Sequence, residues 1–327
     1  MQKILFIIDE IELKYFEFNR LVTNFWLIKC LLDRGYDVSI TVKNLLYLEG
    51  KSPMARVYGS VSKDENIFKE DVLKTVCLND FDTIFMRPDP PVDIDYINAT
   101  YILSCINQDK TLILNSPKAL RDFNEKLYIN KFPNLAPKNI VSANKNIIKE
   151  FLFSEEEIII KPLNRCFSSG VFYLNKEDKN INAIIDTATN NGKTQVMVQK
   201  FLKGIMKGDK RLIFIGGEIF EYAVRKVATN NDFKFNEHVK ENLIKGDLTA
   251  EEKLIEKEIA QTLINDGVYI AGLDVIDGKI IEINITSPCF FINEINSLYN
   301  INFEKIVTDK IIYVMENAKK RLCTSVS

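Results

Sequence analysis

The first 120 residues alternate between strand-like and helix-like segments. Ile4–Ile8 is a compact apolar run, which is typical of a strand buried on both faces of a parallel sheet. Asn19–Arg34 carries its apolar residues on one helical stripe, and Gly35 follows where a helix C-cap is expected. Tyr36–Val42 is β-branched and alternating, which indicates a second strand. Because this order implies parallel βαβ units, we expect an open α/β layer as the first domain.

Composition excludes several classes of protein. The 327 residues include 43 Lys and Arg against 45 Asp and Glu. This balance argues against a protein that binds nucleic acid through an overall excess of positive charge. Six scattered cysteines with no CxxC pair favour reduced thiols over a disulfide framework or a zinc site. Since Ile4–Ile8 is too short for a signal peptide and no window is apolar enough for a membrane span, we expect a soluble cytoplasmic protein with no membrane partner.

A change in character near Phe123 suggests further domains. A helix is predicted over Asn124–Lys131, and Pro133 and Pro137 mark a boundary after it. A small α+β unit then ends near Gln199 and is followed by more strands, a hairpin and a final helix. We expect an N-terminal α/β domain (1–122), a central domain (123–199), a C-terminal domain (200–320) and a tail (321–327).

Ala271–Pro288 is the most informative stretch. Glu282 and Asn284 are two residues apart on a predicted strand, so both side chains point to one face. A three-residue loop (277–279) would place Asp274 opposite Glu282, whereas a two-residue turn would place Asp274 on the other face. Oxygen ligands in this arrangement suit Mg²⁺, although a solvated strand face is the alternative interpretation.

Two further basic residues are candidates for binding anions. Lys161 ends a β-branched run, and a buried lysine needs an anionic partner, which is either a phosphate or a residue of Glu155–Glu157. Arg87 lies at the carboxyl end of a predicted parallel strand, where open α/β sheets bind ligands. It suits a substrate carboxylate, or it caps a loop through Asp89 or Asp93.

Five blocks in a fixed order resemble the bacterial glutathione synthetases of the ATP-grasp superfamily. They are FMRPDPPVDIDYINATYIL (85–103), LNSPKALRDFNEKLY (114–128), IIIKPL (158–163), VQKFLKGIMKGDKRLIFIGGE (198–218) and AGLDVIDGKIIEINITSP (271–288). The resemblance covers about residues 1–315. It implies an α/β, α+β multidomain architecture, in which an ATP-grasp fold follows an N-terminal open parallel α/β domain.

The resemblance also implies a reaction. That family joins γ-glutamylcysteine to glycine at the expense of ATP, through an acyl phosphate that the amine then attacks. Positioning and charge neutralisation carry such chemistry, so no Ser/His or Cys/His pair is required. The implied cofactors are ATP and Mg²⁺, with Mn²⁺ as a substitute, and the family precedent implies a homo-oligomer.

Individual roles follow from the same resemblance. The residues implied to bind ATP are Lys126, Lys161, Gln199, Lys200, Phe201, Leu202, Asp209, Lys234 and Asn236. Those implied to hold substrate carboxylates or the transferring phosphoryl group are Arg87, Arg211, Arg225 and Ser287. The implied metal ligands are Asp274, Glu282 and Asn284, and the predicted catalytic residues are Lys161 and Arg225. Without the resemblance, Lys126 would be interpreted as a solvated surface lysine.

Two loops depart from the family pattern. The loop Asn164–Gly170 contains a single glycine where the family has a glycine-rich phosphate lid, and 229–242 lacks the family's glycines around Lys234 and Asn236. We expect an active ligase with an altered lid. The alternatives are a ligase with a different acceptor amine and a degenerate nucleotide-binding protein.

Overall fold

The N-terminal part of the protein is built on a mixed sheet. The computed structural model describes residues 1–15, 22–58, 73–165, 169–227 and 243–324. The strands of the first sheet are β1 (Lys3–Ile8), β2 (Asp37–Val42), β3 (Leu46–Glu49), β4 (Ser52–Tyr58), β5 (Leu73–Cys77), β6 (Thr83–Met86) and β7 (Leu112–Leu114). Strands β2, β1, β6 and β7 are parallel and adjacent in that order, as expected, but β3, β4 and β5 add an antiparallel extension that was not predicted.

Strand β1 is buried on both faces because helices cover each side of this sheet. The helices are α1 (Glu10–Tyr15), α2 (Thr23–Asp33), α3 (Ile94–Leu103) and α4 (Pro117–Asp122). Leu5 and Ile7 belong to the same core cluster as Tyr96 of α3, whereas Phe6 packs with Ile28 of α2 on the opposite side. This burial explains the continuous apolar run. The predicted C-cap Gly35 has φ +83°, the left-handed conformation that ends a helix.

A second, antiparallel sheet follows in the chain. Its strands are β8 (Asn139–Ser142), β9 (Glu157–Pro162), β10 (Phe172–Asn175) and β11 (Val196–Lys200), in the order β10-β9-β11-β8, with α5 (Lys145–Glu155) and α6 (Ile181–Ala188) beside them. Ile158 and Ile160 of β9 pack against the two helices. Since side chains alternate along a strand, Ile159 and Lys161 point to the other face.

The third sheet contains the predicted hairpin. Its strands are β12 (Asp209–Ile215), β13 (Glu218–Ile219), β14 (Val224–Lys226), β15 (Leu243–Lys245), β16 (Ile270–Ile276) and β17 (Lys279–Asn284), in the order β15-β14-β12-β16-β17 with β13 beside β12. The remaining helices are α7 (Glu252–Asn265), α8 (Ile292–Tyr299) and α9 (Phe303–Thr324). The single predicted final helix is therefore two helices, and Asn300, with φ +57°, ends the first of them. Within the described ranges, none of the helices combines the length and apolar composition needed to cross a bilayer.

The predicted helix over Asn124–Lys131 is wrong. The chain instead makes a turn followed by a 3₁₀ helix at Tyr128–Lys131. The side chain of Asn124 accepts hydrogen bonds from the backbone N–H groups of Lys126 (3.1 Å) and Leu127 (3.3 Å). An asparagine that bonds to the backbone two residues ahead favours a turn over a helix, and this turn carries Lys126.

Asn115 joins the first sheet to the third. Its Nδ2 donates to the carbonyl oxygens of Ile270 and Ile285, both at 2.7 Å, and its Oδ1 accepts from the N–H groups of Tyr269 (2.8 Å) and Ile270 (2.9 Å). These four bonds use both the donor and the acceptor group of a buried amide. The carboxyl end of the first sheet is thereby held beside the hairpin. The limits of the predicted domains remain a prediction.

Candidate active site

A cavity of about 540 Å³ lies where the three sheets meet. The first sheet contributes Arg87 and Asp89 from the loop after β6, and the second contributes Lys161 and Gln199. The third sheet and the segment after it contribute Asp209, Arg211, Lys226, Asp274, Glu282, Asn284 and Ser287. Most of the residues predicted to act on ligands therefore line one cavity, although they are spread over 200 positions of the chain.

The hairpin brings Asp274 opposite Glu282, but not through the loop that the sequence suggested. Ile276 pairs with Lys279, so the turn contains only Asp277 and Gly278, and of the two alternatives the two-residue turn is the one observed. Both turn residues have positive φ (+49° and +71°), as two-residue hairpins require. An irregularity beside Asp274 makes Ile281 an extra residue, and this bulge returns Glu282 to the face of Asp274.

Asp274 lies at the centre of a buried charge network. Arg211 binds it at two points, Nε to Oδ1 at 2.8 Å and Nη2 to Oδ2 at 3.0 Å, and Lys226 Nζ lies 3.1 Å from Oδ1. Burial raises the pKa of Asp274, but the Arg211 and Lys226 charges outweigh this effect and hold its pKa well below the usual range. The carboxylate is therefore ionised at neutral pH.

Asp209 shares the same lysine. Lys226 Nζ lies 2.5 Å from Asp209 Oδ2. Burial raises the pKa of Asp209, while the Lys226 charge opposes that shift. Lys226 thus bridges two acidic residues on neighbouring strands, and its own pKa is raised by them despite its burial.

The two predicted phosphate-binding lysines both lie near Glu282. Lys126 Nζ donates to the carbonyl oxygen of Arg165 (2.7 Å) and to Glu282 Oε1 (3.1 Å). Lys161 is only 8% exposed, and among the described residues its ammonium group makes no hydrogen bond or ion pair. Burial lowers the pKa of Lys161, and the nearby Glu282 carboxylate partly offsets this. An unpaired buried ammonium group is suited to an anionic ligand.

The alternative partner for Lys161 within Glu155–Glu157 is not observed. Glu155 pairs with Lys138 and Lys200, each at 3.0 Å, on the outside of the second sheet. Lys161 points to the other face of that sheet, into the cavity.

The segment Gln199–Leu202 lines the cavity between the second and third sheets. Gln199 is 2% exposed, and its Nε2 has no hydrogen-bond partner in the described part of the chain. Phe201 packs edge to face on Tyr173, with ring centroids 4.9 Å apart. Buried amide groups almost always have partners, so the free Nε2 is consistent with a polar ligand atom at this position.

Arg87 is held on the side of the cavity nearest the first sheet. Its Nε donates to Asn24 Oδ1 (2.8 Å) and its Nη2 to the carbonyl of Pro288 (3.1 Å). The alternative interpretation of a loop cap through Asp93 is wrong, because Asp93 instead caps α3 through Tyr96 N–H (2.8 Å). Ser287 hydrogen-bonds to Asp89 at the same side of the cavity.

Arg225 is not among the residues that line the cavity. It pairs across the strands with Lys210, whose ammonium group bonds to the buried Glu252 at 2.5 Å, and its own Nη1 donates to the carbonyl of Lys207. Lys226, the next residue, faces the cavity opposite Asp209. Because neighbouring side chains on a strand point to opposite faces, Arg225 points away from the face that Lys226 presents to the cavity, and the role of Arg225 stays a prediction.

Lys234, Asn236 and most of the loop that contains them lie outside the described residues, as do residues 166–168 of the lid loop. On the described part of the lid loop, Arg165 and Ser169 line the cavity.

Sequence reasoning missed several residues of the site, and three of them make contacts that position it. Glu125 accepts hydrogen bonds from Ile285 N–H (2.8 Å) and Thr286 N–H (3.0 Å), and so holds the chain just after β17. Asn24 and Lys226 were also missed. Their contacts join residues far apart in sequence, and the only available signal was the position of Glu125 beside Lys126 in a matched block.

The donors on the hairpin fit a divalent metal ion. Asp274 and Glu282 offer carboxylate oxygens and Asn284 an amide oxygen, since Asn284 Nδ2 is directed at Gly272 O and Asp274 Oδ2, both at 3.2 Å. Such hard oxygen donors suit Mg²⁺ or Mn²⁺. The low pKa of Asp274 keeps its ligand atoms ionised.

Comparisons with known proteins agree with this geometry. Residues 2–121 match the family model for the prokaryotic glutathione synthetase N-terminal domain, and residues 125–300 match that for the prokaryotic glutathione synthetase ATP-grasp domain. Two similar relatives are glutathione synthetases. That of Nitrosomonas europaea is 36% identical over 69% of this chain and 70% of the relative, and that of Thermosynechococcus vestitus is 34% identical over 79% and 89%.

A solved structure shows the same fold. The crystal structure of D-cycloserine synthetase DcsG superposes with a TM-score of 0.67, covering 97% of this chain and 100% of that one, at 13% identity. The expected ATP-grasp architecture is confirmed. The chain is an ATP-dependent ligase, and it belongs to the prokaryotic glutathione synthetase family.

Proposed function

We propose that this ligase joins γ-glutamylcysteine to glycine. The cysteine carboxylate of the dipeptide attacks the γ-phosphorus of ATP, which releases ADP and forms an acyl phosphate. The glycine amine then attacks the acyl carbon, loses a proton, and displaces inorganic phosphate. The observation that supports this proposal is that one cavity contains both basic side chains and the carboxylates of the hairpin. The basic residues are Lys126, Lys161, Arg211 and Lys226, and the acidic ones are Asp274 and Glu282. Cations fixed in this arrangement would neutralise the negative charge of the phosphoryl group during transfer, without forming a covalent bond to it.

The nucleotide is proposed to bind between the second and third sheets. Lys126 and Lys161 would contact its phosphates, and the segment Gln199, Lys200, Phe201 and Leu202 would hold the adenine. Asp209 would contact the ribose or a substrate amine. Lys234 and Asn236 are proposed to contact the phosphates and the metal. Within the described ranges, neither the ammonium group of Lys161 nor Nε2 of Gln199 has a hydrogen-bond partner, which supports this assignment.

The metal is proposed to be Mg²⁺, with Mn²⁺ as a substitute, held by Asp274, Glu282 and Asn284. A divalent cation there would neutralise charge on the phosphate oxygens. For Asp274 and Glu282 to act as ligands, Arg211, Lys226 and Lys126 must release part of their present contacts and turn toward phosphate.

Substrate carboxylates are proposed to bind Arg87, Arg211 and Ser287. Lys161 is proposed as a catalytic residue because its ammonium group would contact the transferring group. For the role first assigned to Arg225 we propose Lys226, since it faces the cavity and Arg225 does not line it.

A ligase with another acceptor amine is the second candidate. It is favoured by the loop at 164–170, where a single glycine stands among bulkier residues. The presence of Lys126, Lys161, Asp274, Glu282 and Asn284 together argues against a degenerate nucleotide-binding protein. Domain limits at 122/123 and 199/200, a cytoplasmic location and a homo-oligomer remain proposals.

The test is a product assay. Purified protein is mixed with ATP, Mg²⁺, γ-glutamylcysteine and one amine from a panel that includes glycine, and products are identified by mass spectrometry. We expect the glycine tripeptide and one phosphate per peptide bond. Turnover with another amine and none with glycine would support the second candidate, and an absence of ATP-dependent product with every amine and metal would reject both.

A further inference from the structure

The turn of the hairpin contacts the chain that joins the second sheet to the third. The backbone N–H of Gly204 donates to Asp277 Oδ2 at 2.9 Å. Gly204 is buried in the 3₁₀ helix Lys203–Lys207, which directly follows the segment Gln199–Leu202. Asp277 is the first residue of the two-residue turn between β16 and β17. A hydrogen bond therefore links the segment proposed to hold the adenine with the hairpin that carries the proposed metal ligands.

Gly204 leaves space for the carboxylate that accepts this bond. A Cβ atom at position 204 would lie 2.0 to 2.2 Å from the carboxyl carbon and oxygens of Asp277, far inside van der Waals contact. Gly204 does not have a positive φ, so its backbone conformation does not require glycine. What requires glycine at this position is the close approach of the Asp277 side chain.

The connecting chain is held at its two ends by different sheets. The N–H of Phe201 donates to the carbonyl oxygen of Glu157 on β9 at 3.0 Å, which ties the start of the connection to the second sheet. The N–H of Gly204, three residues later, is tied to Asp277 of the third sheet. The Gly204–Asp277 bond thus sets the distance between the connecting chain and the hairpin.

The residues beside this bond line the cavity. Ile205 follows Gly204 and Ile276 precedes Asp277, and both isoleucines belong to the cavity wall together with Leu202. Gly204 and Asp277 are not among the lining residues. Their hydrogen bond can therefore act on a ligand only indirectly, by fixing the separation of two apolar side chains that face it.

We propose that the Gly204–Asp277 bond positions the nucleotide-binding segment against the hairpin, so that Ile205 and Ile276 are held at the spacing that contacts the base. The inference rests on the proposed nucleotide site, and it makes Gly204 and Asp277 positioning residues because neither touches the ligand. A segment that is already ordered costs less free energy to order on binding. Loss of the bond therefore weakens nucleotide binding and leaves dipeptide binding unchanged.

Isothermal titration calorimetry with ADP and Mg²⁺ tests this role without turnover. Asp277→Gly removes the acceptor but keeps a residue that adopts the positive φ of the turn, and Asp277→Asn keeps an acceptor oxygen. Gly204→Ala removes the space for the carboxylate. We expect Asp277→Gly and Gly204→Ala each to weaken ADP binding by about fivefold, and Asp277→Asn to weaken it by about twofold or less.

A double variant and a matched control separate positioning from a general loss of structure. Because both single changes break the same bond, Gly204→Ala combined with Asp277→Gly should weaken ADP binding by about fivefold, and not by the roughly 25-fold of two independent effects. The control is Asp178→Gly, which removes a similar bond, from Asn180 N–H at 2.7 Å, at a residue that does not line the cavity. It should leave ADP affinity unchanged.

Steady-state kinetics provide a second readout. The KM for ATP should rise by about fivefold in Asp277→Gly and in Gly204→Ala, whereas the KM for γ-glutamylcysteine should change by less than about twofold. Equal increases in both KM values would overturn the inference, because they would indicate a general structural role.

Three binding results would also overturn it. These are wild-type ADP affinity in Asp277→Gly, single effects that multiply in the double variant, and a wild type that does not bind ADP, which would reject the proposed nucleotide site as well. Since ADP binding needs no catalysis, the expected loss of affinity in a protein that makes no tripeptide would support the positioning role and reject the proposed reaction alone.

Discussion

Asp274 and Glu282 lie directly opposite each other on adjacent strands, although only two residues separate those strands at the turn. A regular two-residue hairpin would pair Asp274 with Ile281 and direct Glu282 to the other face. The bulge at Ile281 corrects this register by one residue. The proposed metal site therefore depends on a local irregularity in an otherwise regular hairpin.

Neutralising Asp274 or Glu282 by substitution should lower activity in both cases but should affect the free energy of unfolding differently. Both Asp274→Asn and Glu282→Gln should lower ligase activity by at least about 100-fold, because each removes an ionised metal donor. Asp274→Asn should also lower the free energy of unfolding by about 3 kcal/mol, since it leaves Arg211 and Lys226 buried without a counter-charge. Glu282 is partly exposed, and Lys126 is its only ion-pair partner among the described residues, so its loss should cost about 1 kcal/mol or less.

Phosphate release and urea unfolding measure these two effects separately. Full activity of Glu282→Gln at saturating Mg²⁺ would contradict the metal assignment.

Lys226 and Arg225 provide a matched pair of adjacent cations. Lys226→Met should reduce kcat/KM by roughly 100-fold, because it removes a charge that faces the cavity. Arg225→Met should change kcat/KM by about threefold or less, since that side chain contacts Lys207 O outside the cavity lining. Steady-state rates are corrected for the folded fraction by circular dichroism. The opposite ranking would restore the original assignment of Arg225.

Gln199→Leu should separate stability from nucleotide binding. Removing a buried amide whose Nε2 has no partner among the described residues should raise the free energy of unfolding by about 1 kcal/mol. ATP affinity should fall by roughly tenfold if that group bonds to the nucleotide. Thermal unfolding and ATP titration test both, with the exposed Gln261→Leu on α7 as control. Unchanged ATP affinity would remove Gln199 from the nucleotide site.

Glu12 should make stability depend on pH. Its folded-state pKa of about 7 lies above the ordinary value of 4.5, so the folded protein binds this proton more tightly than the unfolded chain. Stability should therefore fall as the pH rises from about 4.5 to about 7, by about 3 kcal/mol at this residue. The difference in unfolding free energy between Glu12→Gln and the wild type should grow by that amount between pH 4 and pH 8.

Urea unfolding at a series of pH values, without ligands, measures this difference. A difference that is independent of pH would mean that Glu12 is ionised at an ordinary pKa.

Much of the architecture could be predicted because its signals are local. The apolar run Ile4–Ile8 predicted a doubly buried strand, and Gly35 predicted the end of a helix. The antiparallel strands β3 and β5 were missed because they are mostly exposed, so their apolar pattern is weak. Strand β4 was missed although it alternates buried and more exposed residues. The turn that carries Lys126 was missed because a side chain to backbone bond of Asn124 replaced the helix.

By itself, the sequence determined the parallel strands of the first sheet, the hairpin near the carboxyl end, the family, and the residue types available for phosphate, metal and substrate. Tertiary structure alone decided which of those side chains share the cavity. It directed Lys226 into the cavity, brought Glu282 to Asp274 through a bulge, and joined Glu12 to Arg87 through Asn24. The physical reason is that the periodic pattern of apolar residues depends only on neighbours in sequence. The register of a strand, and so the face to which each side chain points, is set by pairing between segments that are distant in sequence.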